Sequence, residues 1–156
     1  MAPTRRRLVD GDVAAWLVKS SLPPHVLVEG WAPGATHRLD RCLRRSYRLG
    51  LMQRGQPCLL WLSGSDRPGV HAVGTLAGPP TDDPEPSVPV ELRLLERPVA
   101  RADLLQVPEF ADAEVLRMPA GSNPSYLTAV QLAAVLELVA PASLRPGVPR
   151  SYRGRR

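Results

Sequence analysis

Large rings are scarce in this sequence: three Trp, three Tyr and one Phe among 156 residues, 4% in all. So few aromatic side chains cannot dominate a core, which Leu, Val and Ala must fill, and each tryptophan needs its own reason to be present. Cysteine is equally sparse. Cys42 and Cys58 have no CxxC spacing, which argues against a disulfide scaffold or a zinc site and reads as two reduced, small apolar side chains. No run approaches the roughly 20 apolar residues of a membrane span. The arginines Arg5, Arg6 and Arg7 are followed by Asp10 and Asp12 rather than by an apolar stretch, unlike a signal sequence. A cytoplasmic protein without a membrane partner is expected. The motifs HExxH, GxGxxG, GxSxG and the phosphate-binding P-loop are missing, and His25, His37 and His71 lack ligand spacing. No catalytic residue, metal or cofactor is therefore expected.

The length suits one domain that buries roughly 70% of its unfolded surface without staples. Net charge is +5, from 20 basic and 15 acidic residues, and every basic residue except Lys19 is arginine. Such an excess is compatible with a polyanionic partner. Residues 1–13 read as a flexible basic arm, 14–140 as the folded domain, and 141–156, rich in Pro, Gly and Arg, as a disordered tail.

Ala14 to Ser20 alternates like a strand and is stopped by Pro23 and Pro24. Trp31 lies in a loop with Gly30, Pro33 and Gly34. Thr36 can cap a helix from His37 to Arg48, with Leu39, Cys42 and Leu43 buried and Arg38, Arg41, Arg45 and Arg48 along one exposed stripe. Pro57 to Ser63 and Val70 to Ala77 flank a tight turn and predict a hairpin, with Leu59, Trp61 and Ser63 on one face. A Pro-rich acidic loop, Gly78 to Ser87, precedes a half-buried strand marked by Val88, Val90, Leu92 and Leu94. Arg101 to Gln106 suggests a short helix and Glu114 to Met118 an extended stretch. Thr128 and Gln131 form a capping box for a closing helix whose apolar face is Leu132, Val135, Leu136 and Val139. About five strands and two or three helices in mixed order predict an α+β fold with a curved, mostly antiparallel sheet.

Several segments together resemble a known family. AWLVKSS at Ala15 to Ser21 resembles the first strand of EVE domains, which, like the related YTH domains, ends in Lys-Ser. Gly30 and Trp31 are similar to the loop tryptophan of both groups. LLWLSGSDRPGVHAVGTL, Leu59 to Leu76, resembles the family hairpin, and VELRLLERPVARADLL and LRMPAGSNPSYLTAVQLAAVLEL resemble the later strand and closing helix. Ser21 and Leu22 stand where many EVE domains have Glu-Pro. The resemblance implies a PUA-like curved sheet that reads a modified base, such as methylated or hydroxymethylated cytosine, in DNA more readily than RNA. It implies a flipped base held by Lys19, Ser20, Ser21, Trp31, Trp61, Ser63 and Asn123, with Trp31 and Trp61 as two walls. The arginine stripe, Arg38, Arg41, Arg45 and Arg48, would then grip phosphates, and a restriction-type nuclease could act in trans. Extruded bases need a flat surface to stack on and polar groups for their edge, which these residue types supply. Two other readings stay open: a small hydrolase of the related ASCH type, using Lys19 as base on a modified nucleoside, and an RNA-binding accessory domain without base selectivity.

Overall fold

The computed structural model describes residues 7–139 except 65 and 122, so residues 1–6 of the basic arm and the tail expected over 141–156 lie outside the described residues. Six strands form one sheet: β1 (Ala15–Ser20), β2 (Thr36–Cys42), β3 (Pro57–Leu62), β4 (Gly69–Leu76), β5 (Ser87–Ala100) and β6 (Ser125–Leu127), in the order β2-β5-β4-β3-β1-β6. Only β1 and β3 run parallel; the other neighbours are antiparallel. Short helical turns α1 (Pro24–Leu27), α2 (Arg101–Leu104) and α3 (Glu114–Arg117) join the strands, and α4 (Ala129–Val139) closes the described chain. This is the expected α+β architecture with a PUA-like curved sheet.

Alternation along each strand feeds two apolar clusters, one on each side. Trp16, Val18, Cys58, Leu60, Val88, Val90 and Leu92 belong to one, together with Trp31. Leu17, Leu59, Trp61, Leu95, Val99, Phe110 and Val135 belong to the other. Hairpin β3–β4 is as expected, and its glycines have a steric cause. A Cβ on Gly69 would lie 2.1 Å from the Val99 carbonyl oxygen, and one on Gly74 would lie 1.8 Å from that of Glu91. Only glycine lets β5 come this close.

The helix expected from His37 to Arg48 does not form. Thr36–Cys42 is instead the edge strand β2, paired residue by residue with β5 from Thr36 opposite Arg93 to Cys42 opposite Ser87. As a helix the segment would bury only three modest apolar side chains, whereas the long β5 offers it a complete hydrogen-bond ladder. Arg38 and Asp40 point outward from this edge, as charged residues that blunt unwanted strand pairing do. The stretch Glu114–Arg117 is helical rather than extended. The capping box of α4 is present: Thr128 N donates to Gln131 Oε1 (3.0 Å) and Gln131 N to Thr128 Oγ1 (3.3 Å). Its inner face carries Gln131 and Val135, buried, and Leu132, Leu138 and Val139, half-buried against the same cluster, so the expected face holds at Leu132, Val135 and Val139, while Leu136 is 45% exposed.

A register break sets up the site. Leu60 pairs with Ala72 and Trp61 with Val70, so His71 is an extra residue without a partner on β3. On its other side, Val70 pairs with Val99 and Ala72 with Leu94, so four residues of β5 bow out beside the same histidine. Such bulges bend a sheet and re-aim side chains. Here the bulge switches β5 from one apolar cluster to the other and leaves a gap beside His71.

Candidate nucleic-acid interface

That gap is a cleft of about 250 Å³, walled by Trp31, Leu62, His71, Leu94, Leu95 and Pro98, with Pro23, Pro24, His25, Asp66 and Arg67 at its borders. Its volume is below the roughly 300–1,000 Å³ typical of drug-sized ligands, and suits one substituted ring. A larger hollow of about 400 Å³, lined by Leu8, Gly11, Asp12, Tyr126, Thr128 and Ala129, has a more polar lining and lies beside β6 and the start of α4. The cleft is the better candidate because it combines an aromatic wall, a buried histidine and an arginine.

Trp31 is held rigidly. Its Nε1–H donates to the Ala35 carbonyl at 2.9 Å, and His37 meets its ring edge-on with centroids 5.7 Å apart. The ring is only 5% exposed, so the loop tryptophan is both a core residue and a cleft wall. Trp61 is not its counterpart. It pairs with Lys19 across β1–β3 and packs with Leu59 and Phe110 in the opposite cluster, 3% exposed. The two rings lie on different sides of the sheet and cannot sandwich a base. Leu62, one residue on, lines the cleft instead, because alternation turns it to the Trp31 side.

The polar candidates converge at the C-terminal end of β1, where they mainly tie backbone segments together. Ser63 donates through both N (2.9 Å) and Oγ (3.2 Å) to the Ser20 carbonyl. The Ser20 hydroxyl donates to Leu22 O at 2.7 Å and accepts from Leu22 N at 3.0 Å, which shapes the exit toward Pro23. Asn123 Oδ1 accepts from Lys19 N, and its Nδ2 donates to Cys42 O, both at 3.1 Å. Ser21 is exposed. Ser20 pairs with Leu62 and so lies on the cleft side, whereas Lys19 is on the Trp61 side.

Lys19 Nζ donates to Pro119 O at 3.4 Å. Burial lowers its pKa; Glu114 opposes that shift, and Arg44 and Arg48 reinforce it. Glu114 is the carboxylate a lysine-based hydrolase would recruit, but both its oxygens are engaged. Arg48 donates to Oε1 at 2.8 Å and to Oε2 at 2.7 Å, and Ser125 Oγ donates to Oε1 at 2.7 Å. Burial alone would raise the Glu114 pKa, yet these bonds outweigh it and hold the carboxyl below its usual range.

The four arginines form no rail, because the helix that would align them is absent. Arg38 is exposed on the outer face of β2. Arg41 points to the other face, where it donates to Lys19 O at 3.3 Å and its buried Nε has no partner among the described residues. Arg45 pairs with Asp82 on the surface. Arg48 is 9% exposed and committed to Glu114 and to the Pro124 carbonyl. The arginine beside the cleft is Arg67, in the hairpin turn.

Sequence reasoning assigned no role to His71 and Arg67. The hairpin residues gave no hint of them, since a histidine at a bulge looks like one more strand residue. Burial raises the Cys58 thiol to about 12, consistent with its reading as an inert apolar side chain; Cys42 is exposed. No group of three or more metal-ligating side chains occurs among the described residues.

By sequence, the chain matches no protein-family model and no curated protein. By structure it is similar to a protein from Rhodopseudomonas palustris at 22% identity and TM-score 0.62, covering 81% of this chain and 93% of that one. It is also similar to human THYN1 protein in complex with 5-methylcytosine-containing DNA, at 18% identity and TM-score 0.57, covering 81% of this chain and 98% of that one. The DUF55 domain of human thymocyte nuclear protein 1 matches at 19% identity and TM-score 0.56, over 80% of this chain and 97% of the domain. The fold is therefore the one that the DUF55 domain and its DNA-bound counterpart share, as the resemblance to EVE domains led one to expect.

Proposed function

We propose that this chain is a non-catalytic DNA-binding domain that reads a modified cytosine by taking the extruded base into the cleft beside Trp31. The observation that carries this reading is a cleft sized for one ring, with a rigidly held tryptophan wall, in a fold shared with a protein bound to 5-methylcytosine DNA. Stacking on an aromatic ring contributes about 1–3 kcal/mol per base. The apolar wall of Leu62, Leu94 and Leu95 suits a methyl substituent, whose burial adds about 0.8 kcal/mol. Arg67 at the rim supplies a guanidinium for a flanking phosphate. Reading rather than turnover fits the Lys19 neighbourhood, where Glu114 and the hydroxyls of Ser20 and Ser63 are already bonded within the protein.

The test is a binding panel of otherwise identical oligonucleotides carrying 5-methylcytosine, 5-hydroxymethylcytosine, cytosine or N6-methyladenine, as DNA and as RNA. A modified cytosine in DNA should bind about four- to tenfold more tightly than cytosine. Trp31→Ala should weaken binding of the preferred oligonucleotide by about 5- to 150-fold. Equal affinity for modified and plain cytosine would sink the reading, and equal binding of plain RNA would favour an accessory domain without base selectivity.

A further inference from the structure

Resting on that reading, we propose that His71 accepts a hydrogen bond through Nδ1 from the exocyclic amino group of the bound base, and so separates 5-methylcytosine from thymine. The need for such a group follows from the two bases. Both carry the same 5-methyl group, so an apolar wall cannot tell them apart. They differ at N3, an acceptor in cytosine and a donor in thymine, and at C4, where cytosine presents an amino donor and thymine a carbonyl acceptor. An acceptor facing the C4 substituent therefore separates the two bases.

The cleft offers few. Leu62, Leu94, Leu95 and the prolines have no polar side-chain atom, and the Trp31 N–H is spent on Ala35. Arg67 only donates. Asp66 and His25 line the border but are exposed, where water competes for them. His71 is 6% exposed. Its Nε2 lies 2.8 Å from the Arg67 carbonyl oxygen. A carbonyl can only accept, so Nε2 carries the proton, and in the neutral ring Nδ1 holds a lone pair. No described residue hydrogen-bonds to that nitrogen. Arg67 itself adopts φ +54°, a left-handed conformation that non-glycine residues take sparingly, and its carbonyl is what orients the imidazole. The bulge completes the placement, because an unpaired strand residue is free to turn its side chain into the gap.

Protonation reverses the preference. Burial lowers the His71 pKa, with Arg67 nearby adding to that and the Arg67 carbonyl bond and Asp66 opposing. The ring is therefore neutral at pH 7 and an acceptor. As pH falls through this lowered value, Nδ1 gains a proton, opposes the amino group of 5-methylcytosine and suits O4 of thymine. The other titratable or charged groups lining the cleft are His25 from α1 and Asp66 and Arg67 from the turn; the β5 residues there are uncharged. Any general effect of acidification on DNA binding cancels in the ratio between two bases, so that ratio isolates His71.

The experiment measures affinities for DNA carrying 5-methylcytosine, cytosine or thymine opposite an abasic position, so that no pairing partner differs between them. Wild-type protein at pH 7.5 should favour 5-methylcytosine over thymine by about tenfold or more. His71→Phe, which keeps a ring but removes both nitrogens, should bring that ratio to within about twofold while retaining the preference for 5-methylcytosine over cytosine. The wild-type ratio should also decline on acidification, a readout that needs no variant to fold. A ratio that His71→Phe leaves intact in folded protein, or that stays flat with pH in the wild type, overturns the assignment of His71 alone. Wild-type protein that binds 5-methylcytosine no better than cytosine overturns the base-reading function beneath it.

Discussion

Three tryptophans in a mostly aliphatic core each do something different. Trp16 is fully buried, and its Nε1–H donates to Gln56 Oε1 at 2.7 Å, which meets the need of a buried indole for a partner. Trp31 joins the same cluster yet walls the cleft, and Trp61 serves only the opposite cluster. Trp61→Ala should therefore cost about 3–5 kcal/mol of stability, measured by urea unfolding. Trp61→Phe, once folded, should bind the preferred oligonucleotide within about twofold of wild type, whereas a role as a pocket wall predicts a loss comparable to that of Trp31→Ala. The cysteines differ in the same way. With its thiol pushed up to about 12 by burial, Cys58 should resist alkylation in the native protein while exposed Cys42 reacts. Mass spectrometry after brief iodoacetamide treatment should show one label on native protein and two after denaturation.

At the scale of elements, the buried Arg48–Glu114 pair fastens the helical turn Tyr47–Leu51 to α3, and Ser125 brings in β6. Arg48 also lies over the Tyr126 ring, 5.5 Å from its centroid. Removing one partner strands the other charge away from water, so Arg48→Met should destabilise the fold by about 3–5 kcal/mol. The pH dependence follows from the Glu114 shift. Its folded pKa is below the unfolded value, so its contribution is fully present above the unfolded value of about 4.3 and is lost as pH falls through the folded one. Thermal unfolding from pH 7 to pH 3 should show a decline in the acid range that Glu114→Gln flattens. The same arginine carries a lesson about legibility. A spacing of three and four residues reads as a helix face, but here it spans an edge strand, a loop and a helical turn. The period of charged residues does not report which backbone hydrogen bonds are available, and β5 supplied those of β2.

For the whole molecule, the bulge in β4 and β5 links the fold to the proposed function. It moves β5 between the two clusters and opens the cleft in one step. Under the proposed function, a net charge of +5 supplies a general attraction for DNA, with Arg67 placed at the rim. Affinity should fall with salt, with a slope of about 0.9 in the logarithms per phosphate neutralised. Arg67→Gln should flatten that slope by about one phosphate, and Arg45→Gln, whose arginine already pairs with Asp82, should leave it unchanged. Anisotropy titrations over about 50–200 mM salt measure both.

The sequence by itself determined the strands of the hairpin, the first strand, the capping box of α4 and the aliphatic character of the core. Each of these rests on local alternation, turn residues or capping chemistry, which neighbouring residues carry. It also determined that Trp31 lies in a Gly/Pro loop. Only the tertiary structure decided that Thr36–Cys42 is a strand, that Arg48 is buried against a carboxylate 66 positions away, and that Trp31 and Trp61 lie on opposite faces. Pairing partners and sheet faces depend on residues distant in the chain. A register break can therefore turn an inconspicuous strand residue, His71, into the wall of a cleft without leaving a mark in local sequence.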